Sequence, residues 1–170
     1  GKQNTATGRS SLHYNTTGYN NNANGAYALY KNTTGAENTA NGNYALFENT
    51  TGNYNTATGR GSLAGNTTGA NNTANGSYAL YRNTTGKQNT ATGRSSLHYN
   101  TTGSYNTASG TGALYNNTEG DNSNAFGRDA LFSNVTGDRN TAMGHRALYS
   151  NISGSQNTGL GNSTLRENTV

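Results

Sequence analysis

The chain has 170 residues and a formal net charge of +4, and only 29% of its residues are hydrophobic. It contains no Cys, which excludes disulfides, thiol chemistry and Cys-based metal sites. Its basic residues are spread along the chain rather than clustered in a patch, and no apolar stretch is long enough to cross a membrane. We therefore expect neither nucleic-acid binding nor a membrane span, and we interpret the chain as a segment of a longer fibre or a processed product.

A 17-residue period runs through the whole chain. Counted from Lys2 as position 1, position 11 is always Leu, position 14 is always Asn, and positions 7 and 17 are Gly wherever the chain reaches them. A fixed period of this length is typical of stacked repeats and predicts a single array over 1–170. The repeats are 2–18, 19–35, 36–52, 53–69, 70–86, 87–103, 104–120, 121–137, 138–154 and 155–170.

The consensus unit is x-x-Asn-Thr-Ala-x-Gly-x-x-Ala-Leu-aromatic-x-Asn-Thr-Thr-Gly. Its fixed glycines and its many Asn and Thr are poor helix formers, and no apolar run recurs at helical spacing. We predict one short strand at Asn-Thr-Ala-x and a second at Ala-Leu-aromatic. Turns are predicted after position 7 and around position 17, because Gly and Asn readily adopt positive φ. The predicted fold class is all-β, a parallel β-solenoid (β-roll) of ten 17-residue coils.

Stacked coils bring equivalent residues together in columns. We expect the Leu column and the Ala column at position 5 to form a thin core, and the Asn column to form a ladder in which each amide bonds the next coil. Such an inward Asn would not be available as an Asn-Thr-Thr glycosylation site. The predicted core residues are Leu12, Leu29, Leu46, Leu63, Leu80, Leu97, Leu114, Leu131, Leu148 and Leu165. The predicted ladder residues are Asn15, Asn32, Asn49, Asn66, Asn83, Asn100, Asn117, Asn134, Asn151 and Asn168.

The last three repeats differ from the first seven. Position 6 changes from Thr, Asn or Ser to Phe126, Met143 and Leu160, and position 15 changes from Thr to Val135 and Ile152. Terminal repeats of solenoids are often atypical. We predict that these apolar residues thicken the core towards the C-terminal side.

No residues stand out as a catalytic, metal or cofactor site. The three His residues have no ligand or base partner at a useful spacing, and the acidic residues are scattered. We therefore expect no enzyme activity and no cofactor. We interpret the arginines that share position 8 as solvated turn residues that aid solubility. They are Arg9, Arg60, Arg94 and Arg128.

Aromatic residues are the best binding candidates in the sequence. Position 12 carries Tyr or Phe in six repeats, and we expect those rings to pack between chains or over the edge of the core. Position 9 lies in a predicted turn, so Tyr27, Tyr44 and Tyr78 are candidate glycan contacts. A third possibility is ice binding by Thr pairs on one strand face, as at Thr5 and Thr7, although Asn24 and its equivalents interrupt the grid.

The Asn-Thr-Ala-x-Gly-x-x-Ala-Leu phrase, clearest over 140–148, resembles the head repeats of trimeric autotransporter adhesins (YadA-like heads). It is also similar to repeats of phage-tail-fibre-like and bacterial surface fibre proteins. The resemblance implies a left-handed parallel β-roll, three chains side by side, and a role in adhesion or as a fibre shaft.

These observations together predict a structural and adhesive segment of an extracellular fibre or surface adhesin, with a virion fibre as one such location. Its partners would be copies of itself, with a homotrimer as the leading state, and cell-surface glycans or proteins. A filament subunit that stacks end to end is the first alternative. An ice-binding or glycan-binding solenoid is the second.

Overall fold

The computed structural model describes residues 1–170 and contains ten short strands and no helix. Each repeat, called a coil below and numbered in chain order, contributes one strand at positions 4–6. The strands are β1 (Thr5–Thr7), β2 (Asn22–Asn24), β3 (Thr39–Asn41), β4 (Thr56–Thr58), β5 (Thr73–Asn75), β6 (Thr90–Thr92), β7 (Thr107–Ser109), β8 (Asn124–Phe126), β9 (Thr141–Met143) and β10 (Thr158–Leu160).

All ten strands form a single parallel sheet in the order of the sequence. The register is uniform: Ala74 of β5 pairs with Ala57 of β4 and with Ala91 of β6, one repeat away on either side. Each coil therefore sits directly on the next, and the same repeat position recurs along one line of the surface. The predicted fold class, an all-β parallel solenoid of 17-residue coils, is confirmed.

The predicted second strand at Ala-Leu-aromatic is wrong. In coil 5 the residues at positions 8–13, 77–82, form consecutive turns, and the central Leu80 has a φ of 50°. Every Leu of the column has a φ between 48° and 52°. Successive strand residues face opposite sides, yet Ala79 and Leu80 are both fully buried. The left-handed backbone at Leu lets two neighbouring side chains enter the core together.

Hydrogen bonds between coils continue through this turn region. The Leu80 N–H donates to the Ser96 carbonyl at 3.0 Å, and the Arg82 N–H donates to the His98 carbonyl at 3.0 Å. Only 18 of the 116 backbone–backbone hydrogen bonds lie within the strands, so turns and the stacking of turns hold most of the backbone. A left-handed non-glycine residue costs roughly 1–2 kcal/mol, and it persists where the surroundings fix it as these bonds do.

The core is a narrow column of small side chains with one Leu per coil. Alanines at position 5 and at position 10 surround the Leu column, and together they form one continuous apolar cluster. Leu29 and its equivalents as far as Leu148 are fully buried. Leu12 in coil 1 is partly buried, and Leu165 in coil 10 is 49% exposed, because each has a neighbouring coil on one side only.

The two glycine columns are needed for different reasons. Glycines at position 7 have φ between 114° and 148°, a region that residues with a Cβ rarely adopt. Glycines at position 17 are needed for space instead. A Cβ on Gly103 would lie 2.6 Å from the Gly120 carbonyl oxygen and 2.8 Å from Asn117 Nδ2. Any side chain there would force two coils apart.

The predicted thickening of the core in the last coils is wrong. Position 6 lies on the outer face of every strand, so Phe126, Met143 and Leu160 project outwards and are 40%, 47% and 61% exposed. Ile152 at position 15 is also exposed, at 49%. The period-2 alternation of a strand determines this outcome, since Ala at position 5 already occupies the inward direction.

Candidate functional site

The Asn column at position 14 forms a continuous ladder from Asn15 to Asn168. In the middle of the stack, Asn83 Nδ2 donates to Asn66 Oδ1 of the preceding coil at 2.8 Å and to the Gly86 carbonyl at 3.0 Å. Its own Oδ1 accepts from Asn100 Nδ2 at 2.7 Å. The Asn side chains of coils 2 to 9 are fully buried, and Asn15 and Asn168 are half-buried. This column is structural and is not a surface for binding.

A second Asn column, at position 3, was missed in the sequence. The Asn72 N–H donates to Asn55 Oδ1 at 3.0 Å, and Asn72 Nδ2 donates to the Gly86 carbonyl at 2.9 Å. The position-17 carbonyl of Gly86 thus accepts from both Asn columns of its coil. Ser123 replaces Asn in coil 8, but its Oγ still accepts from the Asn140 N–H at 3.1 Å. The signal was present, because nine of the ten repeats have Asn at position 3.

The outer face of the sheet carries two polar columns, at positions 4 and 6. Thr5 and Thr7 are both exposed, and so are Thr90 and Thr92. Coils 2, 3 and 5 have Asn instead of Thr at position 6. The face is therefore a regular array of short hydroxyl and amide groups over coils 1 to 7, which becomes apolar at position 6 in coils 8 to 10.

The rings at position 12 stack on one another along the side of the solenoid, half-buried at its edge in the inner coils. The first stack contains three rings, with centroids 5.4 and 5.2 Å apart. The second contains five, with centroids 4.9 to 5.2 Å apart. In both stacks the adjacent planes lie within 17° of parallel. The first stack is His13, Tyr30 and Phe47; the second is Tyr81, His98, Tyr115, Phe132 and Tyr149.

The three candidate glycan-contact tyrosines do not form one surface. Tyr27 and Tyr44 stack on each other at 5.0 Å, and each packs against the position-12 ring of its own coil. Tyr78 lies two coils further on, packed on Tyr81 at 5.5 Å. Gly61 occupies the intervening position 9, so the tyrosines lie on either side of an interruption.

That interruption is a cavity in coil 4, which we call the aromatic gap. Its floor is Gly61, Ala64 and Gly65, the residues at positions 9, 12 and 13. Rings of coil 3 line one side and rings of coil 5 line the other, around a volume of about 630 Å³. Sequence reasoning missed the gap, although the signal was visible: coil 4 alone has no large side chain at any of these three positions.

Cationic groups dominate the rim of the aromatic gap. Arg60 and Arg82 both line it, and neither has a carboxylate within 4 Å. The position-8 arginines are exposed turn residues, as predicted. The Arg60 guanidinium also lies over the Tyr78 ring at 5.6 Å, and the Arg82 guanidinium lies over the Tyr99 ring at 5.4 Å. Glu48 also lines the gap, but its Oε1 is 2.8 Å from Lys31 Nζ, so its charge is offset.

Neighbouring groups shift the pKa of three side chains in the stacks. A side-chain hydrogen bond with Tyr14, and then burial, raise the pKa of Tyr30 above 10.0. Burial is the main cause that raises the pKa of Tyr115. Burial lowers the pKa of His98 below 6.5, and it outweighs the hydrogen bond between His98 Nδ1 and the Tyr78 carbonyl at 3.3 Å. At neutral pH the His98 imidazole is therefore uncharged, and it packs between the Tyr81 and Tyr115 rings.

The structure brings no three His, Asp or Glu side chains together as a possible metal site. It also has no helix of the length and apolarity needed to cross a membrane. No family model, curated protein or solved structure matches the chain. The aromatic gap and the outer strand face are accordingly the surfaces from which a function has to be argued.

Proposed function

We propose that this chain is a rod-like structural and adhesive segment of an extracellular fibre or surface adhesin, which associates side by side with copies of itself and has no catalytic role. The observation that carries the proposal is an exposed apolar column on the wall of an in-register solenoid. Stacked coils with a uniform register are suited to a straight spacer, because each coil presents the same backbone to the next. We place the chain outside the cell because its repeats resemble those of surface adhesins and fibre proteins.

The apolar column consists of Phe126, Met143 and Leu160 at position 6 of the last three coils. The equivalent residues of coils 1 to 7 are Thr, Asn or Ser, so the fold itself does not require apolar side chains there. Contiguous exposed apolar residues commonly mark contacts with other proteins. Burial of these side chains against other copies would remove them from water.

A trimer is the leading state of this association. Rods that meet along their walls about an axis parallel to the rod form a closed ring, so the assembly has a fixed size. End-to-end stacking is the alternative, and it would leave the apolar column exposed. The two arrangements differ in how mass depends on concentration.

Light scattering over a range of protein concentrations tests the proposal. A discrete mass of three chains is the expected result, whereas growth without limit would replace lateral association with a filament. A mass of one chain at all concentrations would refute self-association.

A set of variants locates the interface. Replacing Phe126, Met143 and Leu160 with the Thr or Asn of earlier coils is expected to shift the mass to one chain without loss of the fold. The matched control changes Thr7, Thr58 and Thr92 to Asn, at the same strand position in other coils. If both sets leave the assembly intact, the apolar column is not the interface.

A second candidate function, ice binding, is favoured by the outward, in-register Thr and Asn side chains of β1 to β7. Such a function predicts thermal hysteresis that falls when Thr5, Thr56 and Thr90 are replaced by Tyr. The same replacement at exposed Thr34, Thr51 and Thr68, which lie outside the strands, serves as the control. An absence of hysteresis in the unaltered protein would exclude this candidate.

A further inference from the structure

The aromatic gap is a place where the solenoid omits one ring from an otherwise regular stack. Phe47 is the last ring of the first stack, and Tyr81 is the first ring of the second. Ala64 holds the intervening place in the column and is 8% exposed. The two flanking rings belong to coils two steps apart, which corresponds to about 10 Å at the usual spacing between neighbouring strands.

This separation fits a single inserted ring. Within the stacks, neighbouring centroids are 4.9 to 5.4 Å apart, so a ring midway between Phe47 and Tyr81 would have a neighbour at about the same distance on each side. The open slot lies over Ala64, whose methyl is short. The Tyr78 ring already covers Gly61, since a Cβ on Gly61 would lie 3.0 Å from that ring, so Tyr78 forms one wall of the slot. The backbone of the site is preformed, since the in-register strands and the Asn ladder fix coils 3, 4 and 5 relative to each other.

The volume and the rim indicate what kind of ring belongs there. A cavity of about 630 Å³ is larger than one flat aromatic ring and lies within the range of small-molecule sites. Aromatic rings on two sides suit a pyranose, whose C–H faces pack on such rings. The hydroxyl-bearing Thr84 and Thr101 lie among the lining residues.

The charge of the rim indicates an anion. Arg60 and Arg82 have no carboxylate partner, and a planar guanidinium binds a carboxylate through two parallel hydrogen bonds. The third charged group of the lining, Glu48, is paired with Lys31. The four charges together leave an excess of two positive charges at the mouth of the cavity.

We propose that the aromatic gap binds an acidic pyranose, such as a hexuronic acid residue of a polysaccharide, with its ring between Phe47 and Tyr81 and its carboxylate at Arg60. Arg82 adds positive charge to the lining, although its guanidinium lies over the Tyr99 ring of coil 6 at 5.4 Å. The inference deepens the adhesive part of the proposed function, on which it rests, by naming the ligand class. It also narrows the candidate glycan contacts, because Tyr44 and Tyr78 line the cavity and Tyr27 does not. The mass measurement tests the fibre, and ligand titration tests the gap, so the two can fail separately.

The test is an NMR titration of the chain with trigalacturonic acid, followed at the amide signals of Gly61 and Gly65. The expected result is saturable shifts of these two signals and no shift of Gly112, which holds position 9 in coil 7. The neutral trisaccharide of galactose is expected to bind at least tenfold more weakly. An absence of saturable shifts into the millimolar range, or equal binding of the neutral sugar, would overturn the proposal. Tighter binding of 4-hydroxybenzoate than of the trisaccharide would reject a sugar as the occupant.

Two substitutions place the ligand in the gap. Ala64→Tyr restores the ring found at position 12 of other coils, so we expect the fold to persist and the affinity for trigalacturonic acid to fall at least tenfold. Ala64→Ser keeps the gap open and is the control. Arg60→Gln is expected to remove the preference for the acidic sugar, whereas Arg94→Gln, at the same position two coils away, leaves it unchanged. If Ala64→Tyr binds as tightly as Ala64→Ser, the ligand is bound elsewhere.

Discussion

Removal of one mid-stack ladder amide, by Asn83→Ala, tests whether the buried polar columns stabilise the stack. Asn83 is fully buried and takes part in three hydrogen bonds, two as donor and one as acceptor. The Gly86 carbonyl keeps a partner in the variant, because Asn72 Nδ2 also donates to it. Asn66 Oδ1 and one N–H of Asn100 lose theirs.

The expected cost follows from those two orphaned groups. A buried polar group without a partner costs about 1–3 kcal/mol, so Asn83→Ala should lower the free energy of unfolding by roughly 2–6 kcal/mol. Single domains are stable by about 5–15 kcal/mol, which makes this a large fraction of the total. The lost side chain also leaves a small cavity, which adds to the cost.

Urea unfolding followed by circular dichroism measures the effect, and two variants serve as controls. Asn168→Ala removes a half-buried ladder amide of the last coil, whose one hydrogen bond is to Asn151 Oδ1 at 3.1 Å. Asn151 Oδ1 keeps a partner in the variant, because Asn157 Nδ2 donates to it at 3.5 Å, so a loss below about 1 kcal/mol is expected. Asn72→Ser copies the Ser123 of coil 8 and should also be mild. If Asn83→Ala lowers the free energy of unfolding by no more than these two controls do, the ladder contributes no specific stability and the reasoning fails.

Three further outcomes can be measured on the same chain. Leu80→Ala should cost about 2–5 kcal/mol by urea unfolding, whereas Leu165→Ala, at a half-exposed site, should cost less than about 1 kcal/mol; equal effects would contradict the Leu core. Gly103→Ala should cost roughly 2–3 kcal/mol or more, since its Cβ meets backbone and ladder atoms, and an unchanged midpoint would show that coils can separate freely. The pKa of His98 in the folded chain lies below 6.5, so its contribution to stability should be constant above pH 6.5 and fall as the pH drops from 6.5 to the folded pKa. His98→Tyr should remove that decline. A decline that persists in the variant would assign it to other groups.

The period alone was sufficient to predict the solenoid. Leu, Asn and Gly recur at fixed positions in every coil, and only a stack of identical units gives such residues identical surroundings. The strand at positions 4–6 could be predicted as well, because Thr-Ala-Thr alternates polar and apolar residues. The same alternation predicts that Phe126 and Met143 lie on the outer face, whereas their hydrophobicity alone predicts burial in the core.

The conformation at Ala-Leu could not be predicted from propensity. Leu has no intrinsic preference for a positive φ, and the left-handed region is unfavourable for it by roughly 1–2 kcal/mol. The conformation arises from contacts between coils: Ala79 and Leu80 both need to reach the core, and the Leu80 N–H reaches the Ser96 carbonyl of the next coil. Tertiary contacts thus override local preference at this position.

The aromatic gap was hidden for a different reason. Averaging the repeats into a consensus emphasises what coils share, whereas the gap consists of what coil 4 lacks. Gly61, Ala64 and Gly65 look unremarkable one at a time. They become a site only when stacking places them together between the rings of coils 3 and 5.

In this solenoid the invariant positions stabilise the stack, and the variable positions form the surfaces available for recognition. Positions such as those of Asn83 and Gly86 face inwards, and a change there affects two adjacent coils because each side chain bonds its neighbour. Positions 6, 8, 9, 12 and 13 lie on the surface or at the edge of the core, and they vary from coil to coil without any change in strand register. Variation at those positions can therefore create a local feature, such as the aromatic gap or the apolar column, at little cost to the stack. Function in this chain is expected to reside where one coil departs from its neighbours.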